Sequence, residues 1–241
     1  MAGRNRDQRI FLVDLLRGVA IALMVVFHLS WDLDHFGWVE IDFHHDPFWL
    51  NFRTLIVTLF LTLVGVSLHI AHAGGVRWVP YLRRLLLLVM AAGAVTVASH
   101  YADPQRLIVF GILHFIAFAS ILALPLVWRP RLALVLGVSL LLMPRLFSHP
   151  LFDHPSLHWI GLGTRLPITN DFVPVLPWLG VVAIGVAIGR LLREGDSLES
   201  LRLWRTESSP GRLLALAGRH GLLIYLLHQP LLYGTLWLIG G

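Results

Sequence analysis

Residues 10–31 read IFLVDLLRGVAIALMVVFHLSW, an apolar run broken by three ionisable side chains, Asp14, Arg17 and His28. A bilayer core of roughly 30 Å needs about 20 mostly apolar residues per spanning helix, so this stretch reads as a transmembrane crossing. Three arginines precede it, as in a secretory signal. Asp14 and Arg17 interrupt the apolar segment, however, and no small-x-small cleavage site follows, so it is expected to be a retained helix.

Six further segments have the same character: about 49–72, 79–99, 106–128, 131–147, 173–192 and 213–239. The expectation is an all-α polytopic transmembrane helix bundle of about seven spans, forming a single integral-membrane domain over residues 1–241. The longest connection, Ser148 to Phe172, holds three prolines and three histidines. Composition agrees: 56% of the 241 residues are hydrophobic and 14% charged, against about 25% charged in a soluble domain. The mean hydropathy is +0.73. Cysteine is absent, which excludes disulfides, thiolate catalysis and thiolate metal sites.

All 19 basic residues are arginine, giving a formal charge of +5 and a pI near 10.6. They punctuate apolar runs instead of forming a basic stripe, so the expected partner is a lipid bilayer and not nucleic acid. Positive residues accumulate in cytoplasmic loops. Thirteen arginines fall on one side: Arg4, Arg6, Arg9, Arg77, Arg83, Arg84, Arg129, Arg131, Arg190, Arg193, Arg202, Arg205 and Arg212. Only Arg106, Arg145 and Arg165 fall on the other. This asymmetry predicts a multi-pass protein of the cytoplasmic (inner) membrane, with its N-terminus inside and, after seven crossings, its C-terminus outside.

Ionisable groups within a span are costly and usually face a cavity, a partner or a pathway. Asp14 and Arg17 are three apart and can pair on one helical face. Arg17 and His28 are eleven apart, which places them within roughly 20° of one face and about 16 Å apart along the axis. The plain structural reading is a helix-end ion pair plus one core histidine; the functional reading is one reactive stripe. Further candidates are His114 in the fourth span, and Arg219, His220 and His228 in the last, where Pro230 frees a carbonyl one turn earlier. Arg53 can bind an anionic group or pair with an outer aspartate. His69 and His72 have metal-compatible spacing but no third ligand, and no metal is expected. Gly185 and Gly189 read as a helix-packing pair. The first outer loop carries Asp32, Asp34, His35, Glu40, Asp42, His44, His45 and Asp46. His44 and His45 are candidates for a general base or sugar contact, or are simply solvated. His149, His154 and His158 share that ambiguity.

The stretch Asp14-Leu15-Leu16-Arg17-Gly18-Val19-Ala20, continuing to Met24 and His28, resembles the first helix of transmembrane acyltransferases, and the Arg17-x10-His28 spacing is similar to the acyltransferase-3 pattern. Over most of the chain the sequence resembles the heparan-alpha-glucosaminide N-acetyltransferase catalytic-domain family. That likeness rests on Val13-Asp14 through His28, Phe110 to His114, Pro174 to Gly180, and Leu223 to Pro230. The resemblance implies transfer of an acyl group, acetyl above all, from cytoplasmic acetyl-CoA to a saccharide acceptor on the far side. It implies that Arg17 holds phosphates of CoA and that His28 is an acid/base or acyl carrier. His44 or His45 would stand for the functional histidine that lysosomal members carry before the second helix.

The residues support this chemistry independently. Arginine offers a planar fork suited to phosphate, and a neutral histidine can take the proton of a hydroxyl or amine. The expected catalytic residues are thus His28, His44 and His45, with Arg17, Asp14 and Arg219 for the donor and Asp32, Arg53, His114 and His228 for the acceptor. Arg219 can supply oxyanion stabilisation. Two other classes stay open: a proton-coupled transporter or flippase using the same histidines as a relay, and a non-catalytic membrane subunit held together by these charges. A second copy of the chain stays open as a partner.

Overall fold

A computed structural model describes residues 10–193, 200 and 204–240; Arg4, Arg6, Arg9 and Arg202, counted above for orientation, lie outside the described residues. Among the described residues there are eight α-helices and no strand: α1 (Phe11–His35), α2 (Pro47–His72), α3 (Trp78–Ala102), α4 (Ile112–Leu122), α5 (Pro130–Leu146), α6 (Val175–Arg193), α7 (Ser209–Arg219) and α8 (Gly221–Gly240). By length and composition α1, α2, α3, α6 and α8 can each cross a membrane.

All seven expected apolar segments contain helix, but three differ from a single uninterrupted span, segment 173–192 through a non-helical Leu176 (φ −101°, ψ 129°) near the start of α6. Segment 106–128 is helical only over the eleven residues of α4, with 3-10 turns at Pro104–Arg106 and Leu124–Trp128. Gly111, extended at φ −91° and ψ −172°, starts α4, and Pro125 lies in the turn that follows it. Segment 213–239 breaks at His220 (φ −103°, ψ 22°) into α7 and α8. Arg219 and His220 therefore mark a helix junction instead of the interior of one span. α7 begins at a capped N-terminus, where Ser208 Oγ accepts the Gly211 amide at 3.3 Å and Pro210 occupies the first turn. α5 has 17 residues, about 25 Å of helix, shorter than a bilayer core.

The chain divides into two compact units. The first comprises residues up to Phe60 and from Gly195 onward; the second runs from Leu61 to Glu194. In the first unit α1 packs against α7 and α8. The crossing of α1 with α7 rests on two glycines. A Cβ on Gly18 would meet the Leu214 carbonyl oxygen, and one on Gly218 would meet the Asp14 carbonyl oxygen. Both obstacles are backbone, so only hydrogen at these positions permits the approach. α1 ends in a Schellman turn: the Trp38 amide donates to the Leu33 carbonyl and the Gly37 amide to the Asp34 carbonyl, with Gly37 at φ +73°. In the second unit Gly65 meets the backbone of Val182 and Val186, while Gly185 meets that of Thr62 and Gly189 that of Val66. This is the packing role expected for Gly185 and Gly189.

Candidate active site

Ionisable groups of α1 and of the helices packed on it, α7 and α8, form two stations along α1. Near its N-terminus Asp14 is 6% exposed, and its two oxygens take different partners. Arg17 Nη1 donates to Oδ1 at 2.9 Å from one turn further along the helix. Arg219 Nε donates to Oδ2 at 3.2 Å from the end of α7. Two guanidiniums on one carboxylate leave one net positive charge. The Arg17 and Arg219 side chains are 26% and 42% exposed, so that charge reaches the surface from a buried anion.

The second station lies fourteen residues on, about 21 Å along the helix. His28 on α1 meets His228 on α8 edge to face, with ring centroids 4.9 Å apart and an interplanar angle of 71°. His228 is buried, and its Nδ1 lies 2.6 Å from the Tyr225 carbonyl oxygen. A carbonyl only accepts, so Nδ1 carries the hydrogen and Nε2 is the basic nitrogen of the neutral ring. One turn beyond His28, Asp32 is 1% exposed and accepts from Gln229 Nε2 at 2.7 Å. Asp32 Oδ2, Gln229 Oε1 and His228 Nε2 have no hydrogen-bond partner among the described residues. An unmet buried acceptor costs about 1–3 kcal/mol. Three of them on adjoining side chains make a site that takes hydrogen-bond donors. At the end of α1 the exposed His35 Nε2 and Tyr233 hydroxyl are 3.4 Å apart.

The loop after α1 is anchored by Phe43, buried against Trp31, Trp49 and Phe27 at centroid distances of 4.9, 4.8 and 5.5 Å. His44 and His45 follow it on the surface. The His44 ring stands edge-on to Trp31 at 6.0 Å. His45 Nδ1 lies 3.0 Å from both Asp42 oxygens, and Asp42 Oδ1 also accepts the His44 and His45 amides. Desolvation pushes the Asp42 carboxyl up. The His45 and His44 amides and the His45 ring outweigh it and hold the group below the usual carboxylate range. Arg53 is exposed on α2.

In the second unit His114 serves the start of its own helix. Its Nδ1 accepts the Gly111 amide at 3.4 Å, and its Nε2 lies 3.1 Å from the Thr96 hydroxyl. That hydroxyl donates to the Ile108 carbonyl at 2.7 Å, so His114 Nε2 donates to it. Asp171 Oδ2 accepts the Ile112 amide at 2.8 Å, in space that a Cβ on Gly111 would fill. His69 and His72 are both buried in α2, with His72 edge-on to Tyr81 at 5.4 Å. Among the described residues no three His, Cys, Asp or Glu side chains converge as a metal site.

Asp14, Arg17, Arg219, His28, Asp32 and His228 were legible as candidates in the sequence, whereas Gln229 was legible only as a polar residue of the last span beside His228 and Pro230. Asp171 carried no local signal, since its partner amide is 59 residues away.

Helices able to cross a bilayer, carrying an arginine–carboxylate cluster at one end of α1 and paired histidines towards the other, define a helical membrane protein with a polar site inside one helix group. A family model described as heparan-alpha-glucosaminide N-acetyltransferase, catalytic, matches residues 9–230. The chain belongs to this family of membrane acetyltransferases, whose general acyl donor is acetyl-CoA. Comparison with curated proteins and with solved structures gave no match.

Proposed function

We propose that the protein moves an acyl group, acetyl above all, from cytoplasmic acyl-CoA to an amine or hydroxyl of a glycan on the opposite side of the membrane. One observation carries this reading: His28 and His228 meet on the helix whose other end holds the Asp14–Arg17–Arg219 cluster. The arginine asymmetry supports an N-terminus in the cytoplasm, with the cluster towards the donor and the histidines towards the acceptor.

The donor's phosphates fit the cluster, because its net positive charge reaches the surface and a guanidinium matches phosphate geometry. Asp14 holds the two arginines in one orientation. Arg17 and Arg219 anchor the donor so that its thioester end extends along α1 towards the histidines. His228 Nε2, left basic by the Nδ1 bond to Tyr225, takes the acceptor's proton. His28 lies against that ring and completes the site, while His44, His45 and Arg53 meet the saccharide from the surface.

The test is transfer from radiolabelled acetyl-CoA by purified protein in lipid vesicles. His228→Ala is expected to lower the rate by about 10²–10⁴-fold, and His28→Ala, which removes the ring packed on His228, to lower it less. Equal rates in both variants and the parent would remove the histidine pair from the chemistry.

A further inference from the structure

Three buried acceptors of the first unit face no donor: Asp32 Oδ2, Gln229 Oε1 and His228 Nε2. What they lack in common is a hydrogen. Gln229 commits its Nε2 to Asp32 Oδ1, which fixes the carboxylate and leaves Oδ2 as its open oxygen. The polar groups are also ordered along the helices. On α1, His28, Asp32 and His35 follow at intervals of four and three residues, which is one face of a helix. On α8, His228 and Gln229 face the first two, and Tyr233 reaches His35 at 3.4 Å. Burial is deepest at Asp32 and falls from there towards Tyr233 and His35. Asp32 is 1% and His228 9% exposed, whereas Tyr233 is 42% exposed and His35 lies on the surface.

We propose that Asp32, held by Gln229, is a proton-transfer group that carries the acceptor's proton from His228 to the surface at His35 and Tyr233. The inference rests on the acyltransfer reading above. In that reaction the acceptor's nitrogen or oxygen bonds to the acyl carbon and the thioester C–S bond breaks. Sulfur leaves with the bonding pair as thiolate, and the acceptor loses one proton. The thiolate takes up a proton on the donor's side, while the acceptor's proton must leave on the other. Each turnover therefore removes one proton from one compartment and releases one into the other. His228 Nε2 is the group that receives it, and the Asp32 carboxylate is the next buried base along the face. His28, which faces His228, lies one helical turn from Asp32, and Asp32 lies one turn from His35, about 5–6 Å per turn, within reach of a side-chain rotation or a single bridging water.

The charged and titratable groups around Asp32 support an exit in this direction. α8 presents His228 and Tyr233. α7 contributes Arg219, which is engaged with Asp14 at the other end of α1. In the last turn of α1 Asp34 takes the Ile41 amide, and in the following loop Asp42 takes His45. No lysine or arginine pairs with Asp32 among the described residues, so no fixed cation holds its charge.

The experiment uses the full chain in proteoliposomes, with acetyl-CoA supplied on one side and an amino sugar on the other. The acceptor-side pH is varied at constant donor-side pH. The parent protein is expected to release one proton per acetyl group on the acceptor side when the amine enters neutral, and two when it enters as the ammonium, read by an impermeant dye. Asp32→Asn is expected to slow transfer about 10²-fold, with recovery on adding imidazole to the acceptor side and retention of rate in Asp32→Glu. Tyr233→Phe and His35→Gln, at the exposed end, are expected to slow transfer at low acceptor-side pH with unchanged thermal midpoints. An Asp32→Asn protein as fast as the parent at every pH, or slow and indifferent to imidazole, overturns the proton path. A parent protein that transfers no acetyl group overturns the acyltransfer reading itself.

Discussion

Arg219 Nε reaches Asp14 Oδ2 at 3.2 Å across 205 residues of sequence, whereas Arg17 reaches the other oxygen of the same carboxylate from three residues away. One buried anion therefore couples a local helical pair to a helix from the far end of the chain. Asp14→Asn keeps the shape of the side chain and removes its charge, leaving two guanidiniums facing each other. Because Arg219 is 42% exposed, the expected loss is about 1–3 kcal/mol, below that of a fully buried pair. Thermal unfolding in detergent reads it, and an unchanged midpoint would show that the cluster adds nothing to stability.

The same cluster separates binding from chemistry. Arg17→Ala is expected to raise KM for acyl-CoA with a smaller effect on kcat, and Arg17→Lys to recover only part of the loss, since an ammonium lacks the planar fork. Initial rates over a range of acetyl-CoA concentrations decide it. A pure kcat effect would place Arg17 at the reacting centre instead.

The glycine crossing makes a contrast within one protein. Gly18→Ala and Gly218→Ala each drive a methyl group into backbone oxygen, and overpacking of this kind costs about 1–3 kcal/mol or more. Gly93 and Gly234 have nothing within 4 Å of an added Cβ. Alanine there is expected to be neutral or to stabilise by about 0.5–1 kcal/mol through helix propensity. Melting of the four variants side by side tests the ranking.

His228 offers a substitution that separates its two nitrogens. Asparagine can place its amide NH₂ near the position of Nδ1 and keep the bond to Tyr225, but it has nothing at Nε2. His228→Asn is expected to melt close to the parent temperature and to lose about 10²–10⁴-fold in rate. Retention of activity would assign the base to another residue.

Asp153 predicts an acid-sensitive connection in the second unit. The Thr164 hydroxyl holds its carboxyl below the ordinary 3.8, against desolvation and with help from the Arg165 and Thr164 amides. A depressed folded value means that the ionised group supports the loop at every pH above 3.8 and that this support is lost as pH falls through the lowered value. Hydrogen-exchange protection of the Thr164 and Arg165 amides should hold from neutral pH to about 5 and decline below 3.8. In Asp153→Asn it should be weak throughout.

What could be read in advance followed from spacing within one helix. Asp14 with Arg17, the shared face of Arg17 and His28, and the Gly185–Gly189 pair are all short-range patterns, and the structure contains each. Arg219 on Asp14 and Gln229 on Asp32 join residues 205 and 197 apart, and no periodicity records such pairs. Gly18 and Gly218 escaped notice for a related reason. One glycine on each of two helices leaves no repeat, although together they let the backbones of α1 and α7 approach closely. Hydropathy located the helices, five of them long and apolar enough to cross a membrane, but not the breaks at Gly111 and His220, because Leu, Ile and Phe continue on both sides of each. His114 shows the opposite case: its residue type invited a functional reading, while its partners make it a cap for α4.

The close crossing at Gly18 and Gly218 also has a consequence for biosynthesis. A ribosome adds about 5–20 residues per second, so the 205 residues from Asp14 to Arg219 take roughly 10–40 s. During that interval the nascent first helix is in the membrane before its partner exists, with Asp14 matched only by Arg17. Neither the histidine pair nor the second arginine can be assembled until the last helices arrive. A half-made chain therefore carries the signature motif of its first helix without a working site, and translation itself delays the onset of chemistry.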